Sequence, residues 1–201
     1  MFFSNRAITK GLLAAAVSLL SLFLLNPAQA NPRYSSIVID AESGAVLHQD
    51  SADAIRYPAS LTKMMTLYML FEAMERGKMT LDTPMKVSAH AAGMPQTNIG
   101  LRAGDSLKVR DAIPALVVRS ANDAAAVVAE ALSSSEANFG RMMTDKARQL
   151  GMRSTTFRNA SGLPNGEQKT TARDMVTLAT RLMTSSLPIA TTIRSKRLCT
   201  S

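Results

Sequence analysis

Tyr57-Pro58-Ala59-Ser60-Leu61-Thr62-Lys63-Met64-Met65 places a hydroxyl and an amine three residues apart at the point where a helix should begin. Pro58 suits a helix approach, and Leu61, Met64, Met65, Tyr68, Phe71 and Met74 recur at the three-and-four spacing of a helix that buries one broad face. Residues 60 and 63 are neighbours on such a helix, so the Ser60 hydroxyl and the Lys63 amine can meet. A serine becomes a useful nucleophile when a base takes its proton, and a lysine can be that base only if burial or a nearby cation lowers its pKa. The unpaired N–H groups of a helix N-terminus favour negative charge developing at Ser60. Taken alone, the tetrapeptide fits a plainer reading better, an N-capping serine followed by a solvated lysine. The rest of the chain reverses that preference.

Upstream, residues 1–30 have the three parts of a secretory signal. Arg6 and Lys10 give the positive start, Leu12 to Leu25 the apolar run, and Ala28-Gln29-Ala30 the small-x-small cleavage site. The run is short for a membrane span and is broken at Asn26-Pro27. An exported protein beginning at Asn31 is therefore expected, which takes 30 residues from 201 and leaves 171, enough for one domain with a sizeable core. Losing Arg6 and Lys10 lowers the formal charge from +8 to +6. Before residue 194 no Lys/Arg block with interleaved aromatics appears, so no nucleic-acid partner is expected; the basic charge suits an acidic wall polymer or an anionic membrane surface. Cys199 is the only cysteine, so packing rather than an internal disulfide must hold the fold. His48 and His90 lack grouped ligands at metal spacing, and no metal or other cofactor is expected.

The alternating runs 36–40 and 45–48 flank Glu42-Ser43-Gly44 and predict a β-hairpin. A helix over about 60–76 should stop at Gly77 in a left-handed cap. Residues 80–108 read as turn-rich, with Pro84, Gly93, Pro95, Gly100 and Gly104 breaking any long periodicity. Helical pattern resumes over about 110–118, breaks at Arg119-Ser120-Ala121-Asn122-Asp123, and continues in an alanine-rich helix over about 123–132. At this break Ser120 and Asn122 have two readings. They can cap the helix, or they can present a hydroxyl that relays a proton and an amide that meets a peptide substrate. Further helices are expected over 139–151 and after Thr171, whose Asp174 three residues later suggests a capping box. Asn159-Ala160-Ser161 fits a glycosylation sequon but reads as a turn.

In this order the blocks 58–66, 119–124, 157–163 and 170–175 make the chain resemble the serine D-alanyl-D-alanine carboxypeptidases, the low-molecular-mass penicillin-binding proteins of peptidase family S11, from about Tyr34 to Met183. The resemblance implies an α/β penicillin-recognition fold, here helix-rich and incomplete, with only the N-terminal hairpin of the sheet. It implies a nucleophile at Ser60, a base at Lys63, a proton-relay hydroxyl at Ser120 and a substrate-binding amide at Asn122. Peptidoglycan stem peptides would be the substrates, losing their terminal D-alanine through an acyl-serine, and β-lactams would be covalent inhibitors. D,D-endopeptidase activity uses the same groups and stays open, as does a non-catalytic remnant that binds wall peptide or a partner. A class A β-lactamase would need a Glu-x-x-Leu-Asn block, and the chain has none.

The family's third motif, Lys-Thr-Gly on a strand, does not occur in the chain; Lys169-Thr170-Thr171 imitates its first two letters in a turn before a helix. Residues 184–201 lack aromatics and gain Arg194, Lys196 and Arg197. The expected organisation is a signal over 1–30, a partial catalytic domain over 31–183, and an aberrant basic tail over 184–201 with no membrane anchor. With half of the oxyanion hole on an absent strand, impaired turnover is the expectation for this chain.

Overall fold

The computed structural model describes residues 34–184; the expected signal over 1–30 and all but Thr184 of the expected basic tail lie outside the described residues. Strand β1 (Ser36–Ile39) pairs antiparallel with β2 (Val46–Asp50). The turn between them is built locally: the Asp40 carboxylate accepts hydrogen bonds from the Ser43 N–H at 2.7 Å and its hydroxyl at 2.6 Å. Gly44 follows at φ +73°, a left-handed conformation that costs glycine little. The expected hairpin is thus present, with Val38, Val46 and Leu47 exposed.

A 3-10 turn over Ala59–Leu61 leads into helix α1 (Thr62–Glu75). Its buried residues differ from the single face expected. Met65, Leu67, Met69, Leu70, Phe71 and Ala73 are buried, Met64, Tyr68 and Met74 are half-buried, and Leu61 is exposed. A helix packed on several sides has no one apolar stripe for periodicity to report. At its end the Lys78 N–H reaches the Ala73 carbonyl at 2.9 Å and Gly77 takes φ +68°, the glycine cap expected there.

Residues 80–108 hold more structure than their turns suggest. Strand β3 (Pro84–Lys86), a single helical turn α2 (Ala89–Ala92) and strand β4 (Ser106–Lys108) form a second two-stranded antiparallel ribbon with a helical insertion. Met85, Val87, Leu107 and Val109 point from it into the core. Helix α3 (Val109–Val117) follows, and then α4 (Asn122–Leu132), around which the core is arranged. Ala124 to Ala129 are fully buried on every side of α4, which packs against α1, α2, α3 and β3. Four alanines among those six residues allow close backbone approach from several directions. Helix α5 (Glu136–Gln149) also packs on α4, and it begins three residues earlier than periodicity indicated because the Ser135 hydroxyl caps it through the Asn138 N–H.

Helix α6 (Ala172–Thr184) is capped by Thr171, whose hydroxyl accepts from the Asp174 N–H at 3.0 Å. The reciprocal half of the expected capping box is missing. The Asp174 carboxylate turns away to accept from the Ser154 N–H at 2.9 Å and the Thr155 hydroxyl at 2.6 Å. Lys169 and Thr170, expected in a turn, instead form single antiparallel bridges with Thr156 and Arg56. Asp174 therefore ties α6 to the 154–170 segment. Asp174→Ala should lower unfolding free energy by about 1–3 kcal/mol in urea titrations, because the buried Thr155 hydroxyl and the partly buried Ser154 N–H lose their acceptor. A loss below about 0.5 kcal/mol would show that these bonds are replaced by water at no cost.

Candidate active site

Ser60 sits exposed in the 3-10 turn, one turn ahead of Lys63 on the first turn of α1. The turn is tight: Ala59 holds φ +46°, an uncommon conformation for a residue with a Cβ. Against it lies Gly162, at φ +89°, where an added Cβ would stand 1.8 Å from the Ala59 carbonyl oxygen and 3.0 Å from the Ser60 nitrogen. The serine's backbone is thus shaped by a glycine about a hundred residues later in the chain.

Lys63 is 3 % exposed. Its Nζ donates to the Asn122 side-chain oxygen at 2.8 Å and to the Ser161 carbonyl at 2.6 Å. Among the described residues it has no carboxylate partner within ion-pair distance. Burial therefore dominates and pushes its pKa from 10.5 down to about 8. The hydroxyls of Ser60 and Ser120 are not among its hydrogen-bond partners.

Ser120 and Asn122 flank the start of α4. Neither caps it, since the cap position is Ala121 and no side chain bonds there. Ser120 is half-buried at φ +52°, with its carbonyl accepting from the Thr97 hydroxyl at 3.2 Å. Asn122 donates its N–H to the Thr97 carbonyl at 2.7 Å and its side-chain amide to the Pro95 carbonyl at 3.0 Å. Of the four residues singled out from sequence, Lys63 and Asn122 are in direct contact, while Ser60 and Ser120 are placed by the same two elements.

Sequence reasoning missed the 159–162 loop as part of this arrangement. Asn159 builds the expected turn there, accepting from the Gly162 N–H at 2.7 Å and donating to the Leu163 carbonyl at 2.9 Å. The loop is tied to α1 twice, through Lys63 on Ser161 and through the Thr66 hydroxyl on the Ala160 carbonyl at 2.7 Å. Glu136 of α5 holds it from behind, accepting from the Ala160 N–H at 3.0 Å while its other oxygen meets His90 at 2.7 Å. The glycine of the Asn-Ala-Ser-Gly block was the one available signal.

A groove of about 370 Å³ runs beside the turn, walled by Tyr57, Pro58 and Ala59 on one side and by residues 162–166 on the other. A strained turn carrying a hydroxyl, a buried amine of lowered pKa one turn away, and an adjoining groove can perform acyl transfer.

Comparison with known proteins agrees with that chemistry. The family model described as D-alanyl-D-alanine carboxypeptidase matches residues 27–201. The D-alanyl-D-alanine carboxypeptidase DacF of Bacillus subtilis is 33% identical over 154 residues, covering 77% of this chain and 40% of that protein. Among solved structures, D-alanyl-D-alanine carboxypeptidase DacD from Francisella tularensis superposes with a TM-score of 0.76 at 33% identity, over 83% of this chain and 40% of that one. Penicillin-binding protein D2 from Listeria monocytogenes in its ampicillin-bound form gives a TM-score of 0.62 at 30% identity, over 76% of this chain and 62% of that one. The chain thus spans 40% of the length of DacF.

Proposed function

The chain belongs to the D-alanyl-D-alanine carboxypeptidase family, peptidase S11, and we propose that it supplies the acylating centre of such an enzyme, removing the terminal D-alanine of peptidoglycan stem peptides. The observation that carries this reading is Lys63: an amine 3 % exposed, of pKa about 8, held one helical turn from an exposed serine. A buried lysine without a carboxylate partner is poor structural design but a good base.

In the proposed reaction neutral Lys63 takes the Ser60 proton as Oγ bonds to the carbonyl carbon of the penultimate D-alanine. The amide C–N bond breaks, and the departing amine of the last D-alanine receives a proton from Lys63 by way of the Ser120 hydroxyl. The Asn122 amide binds the substrate backbone. Water then attacks the ester, Ser60 regains its proton, and the shortened peptide leaves. β-Lactams would acylate Ser60 through the same first step. The secretory features of residues 1–30 suit a substrate outside the cell membrane.

The test is covalent labelling. The purified protein treated with benzylpenicillin should gain the mass of one intact penicillin, since ring opening expels nothing, and peptide mapping should place it on Ser60. A label on any other residue overturns the assignment of the nucleophile.

A further inference from the structure

Asn122 can serve Lys63 only in one of its two amide orientations, and the structure shows what selects it. The Pro95 carbonyl can only accept and a lysine ammonium can only donate, so the Asn122 NH2 must face Pro95 and its oxygen must face Lys63. That selection works only while Pro95 stays in place. Pro95 is exposed and lies in a loop with no regular structure of its own.

The loop is held by Asp123. This carboxylate, 1 % exposed, accepts from the Ile99 N–H at 3.1 Å, the Leu101 N–H at 3.1 Å and the Ala124 N–H at 2.8 Å. Three N–H groups converge on this one carboxylate, which fixes the C-terminal end of the 95–101 loop to the first turn of α4. Thr97 fixes the middle, bonding to Ser120 and to the Asn122 N–H.

We propose that Asp123 is a positioning residue for the active site: by clamping the 95–101 loop onto α4 it keeps the Pro95 carbonyl against Asn122 and so holds the Asn122 oxygen toward Lys63. The proposal rests on the reading of Lys63 as the base, yet its test needs no turnover. In Asp123→Asn the amide brings one oxygen and one NH2 to a site of three donors, so the loop loosens and the Asn122 amide becomes free to turn. Lys63 then loses an acceptor that favours its charged form, and its titration midpoint falls.

The experiment is an NMR titration of the Lys63 side chain in carbon-13-labelled protein. The wild-type midpoint is expected near 8, and Asp123→Asn should lower it by about one unit, the order of one hydrogen bond to a charged group. In an Asn122→Ala background Asp123→Asn should produce no further shift, because both changes remove the same contact. Pro95→Gly, at an exposed position, loosens the loop without touching the buried carboxylate and should move the midpoint the same way. An unmoved midpoint in folded Asp123→Asn, or in Pro95→Gly if the first variant does not fold, overturns the proposal, as does an additive shift in the Asn122→Ala background. Failure of Ser60 to take up penicillin would count against the proposed reaction and leave these titrations to judge the clamp on their own.

Discussion

Lys63→Arg should reduce the rate of Ser60 acylation by at least about a thousandfold while leaving the charge of the site unchanged. General-base catalysis is worth roughly 100- to 10,000-fold, and a guanidinium stays protonated at any pH the protein survives. The site also has no room for the planar fork, because the amine is enclosed by Asn122 and Ser161 at 2.8 and 2.6 Å. Stopped-flow acylation by a chromogenic β-lactam measures the effect. A variant acylating within tenfold of the parent would make Lys63 a structural cation. In the parent protein the rate should climb with pH through about 8, where Lys63 loses its proton. The same shift has a consequence for stability. The unfolded chain keeps a lysine pKa near 10.5, so between about 8 and 10.5 it binds a proton that the folded protein has released. Stability contributed by this group is therefore lowest below 8 and rises across that interval.

Gly162→Ala should cost about a hundredfold in acylation. Its Cβ would meet the Ala59 carbonyl oxygen at 1.8 Å and carbon at 2.4 Å, so more than an ångström of movement is needed. Gly162 at φ +89° disfavours a side chain on its own account. Ala59 yields poorly, since it is already in the left-handed region at φ +46°. The displacement therefore passes to Ser60, and a misplacement of about 1 Å at a reacting group is worth about a hundredfold. Gly166→Ala, in the same loop but with nothing within 4 Å of the added carbon, is the control and should acylate normally. Equal rates for the two variants would show that the 162 contact does not shape the nucleophile.

Local chemistry decided which parts of this protein could be read from sequence. The first hairpin was legible because its turn is made by residues 40–44 alone, and the cap at Gly77 because a left-handed helix end calls for glycine. Ribbon β3–β4 was not, since three-residue strands offer no periodicity and Pro84 reads as punctuation. Helix α1 gave a misleading stripe because the core surrounds it. In the site, Ser60, Lys63, Ser120 and Asn122 announced themselves by residue type and spacing. Their immediate partners did not. Lys63 is held partly by the Ser161 carbonyl and Asn122 by those of Pro95 and Thr97, and a backbone carbonyl is the same whatever residue carries it. Asp123 was passed over for a related reason: a carboxylate that accepts only backbone N–H groups has no partner in sequence to reveal it.

The two acceptors around Lys63 also fix the direction from which a proton can reach it. A neutral amine has two N–H bonds and one lone pair at three corners of a tetrahedron whose fourth is the side-chain carbon. With one N–H committed to Asn122 and the other to Ser161, the lone pair is left with the single remaining corner, and rotation about the Cε–Nζ bond is blocked at both others. Lys63 is thereby a base with an aim: any proton it accepts must come along that one axis. An amine of the same pKa with only one of these acceptors could place its lone pair at either of two corners, and its aim would be lost for part of the time.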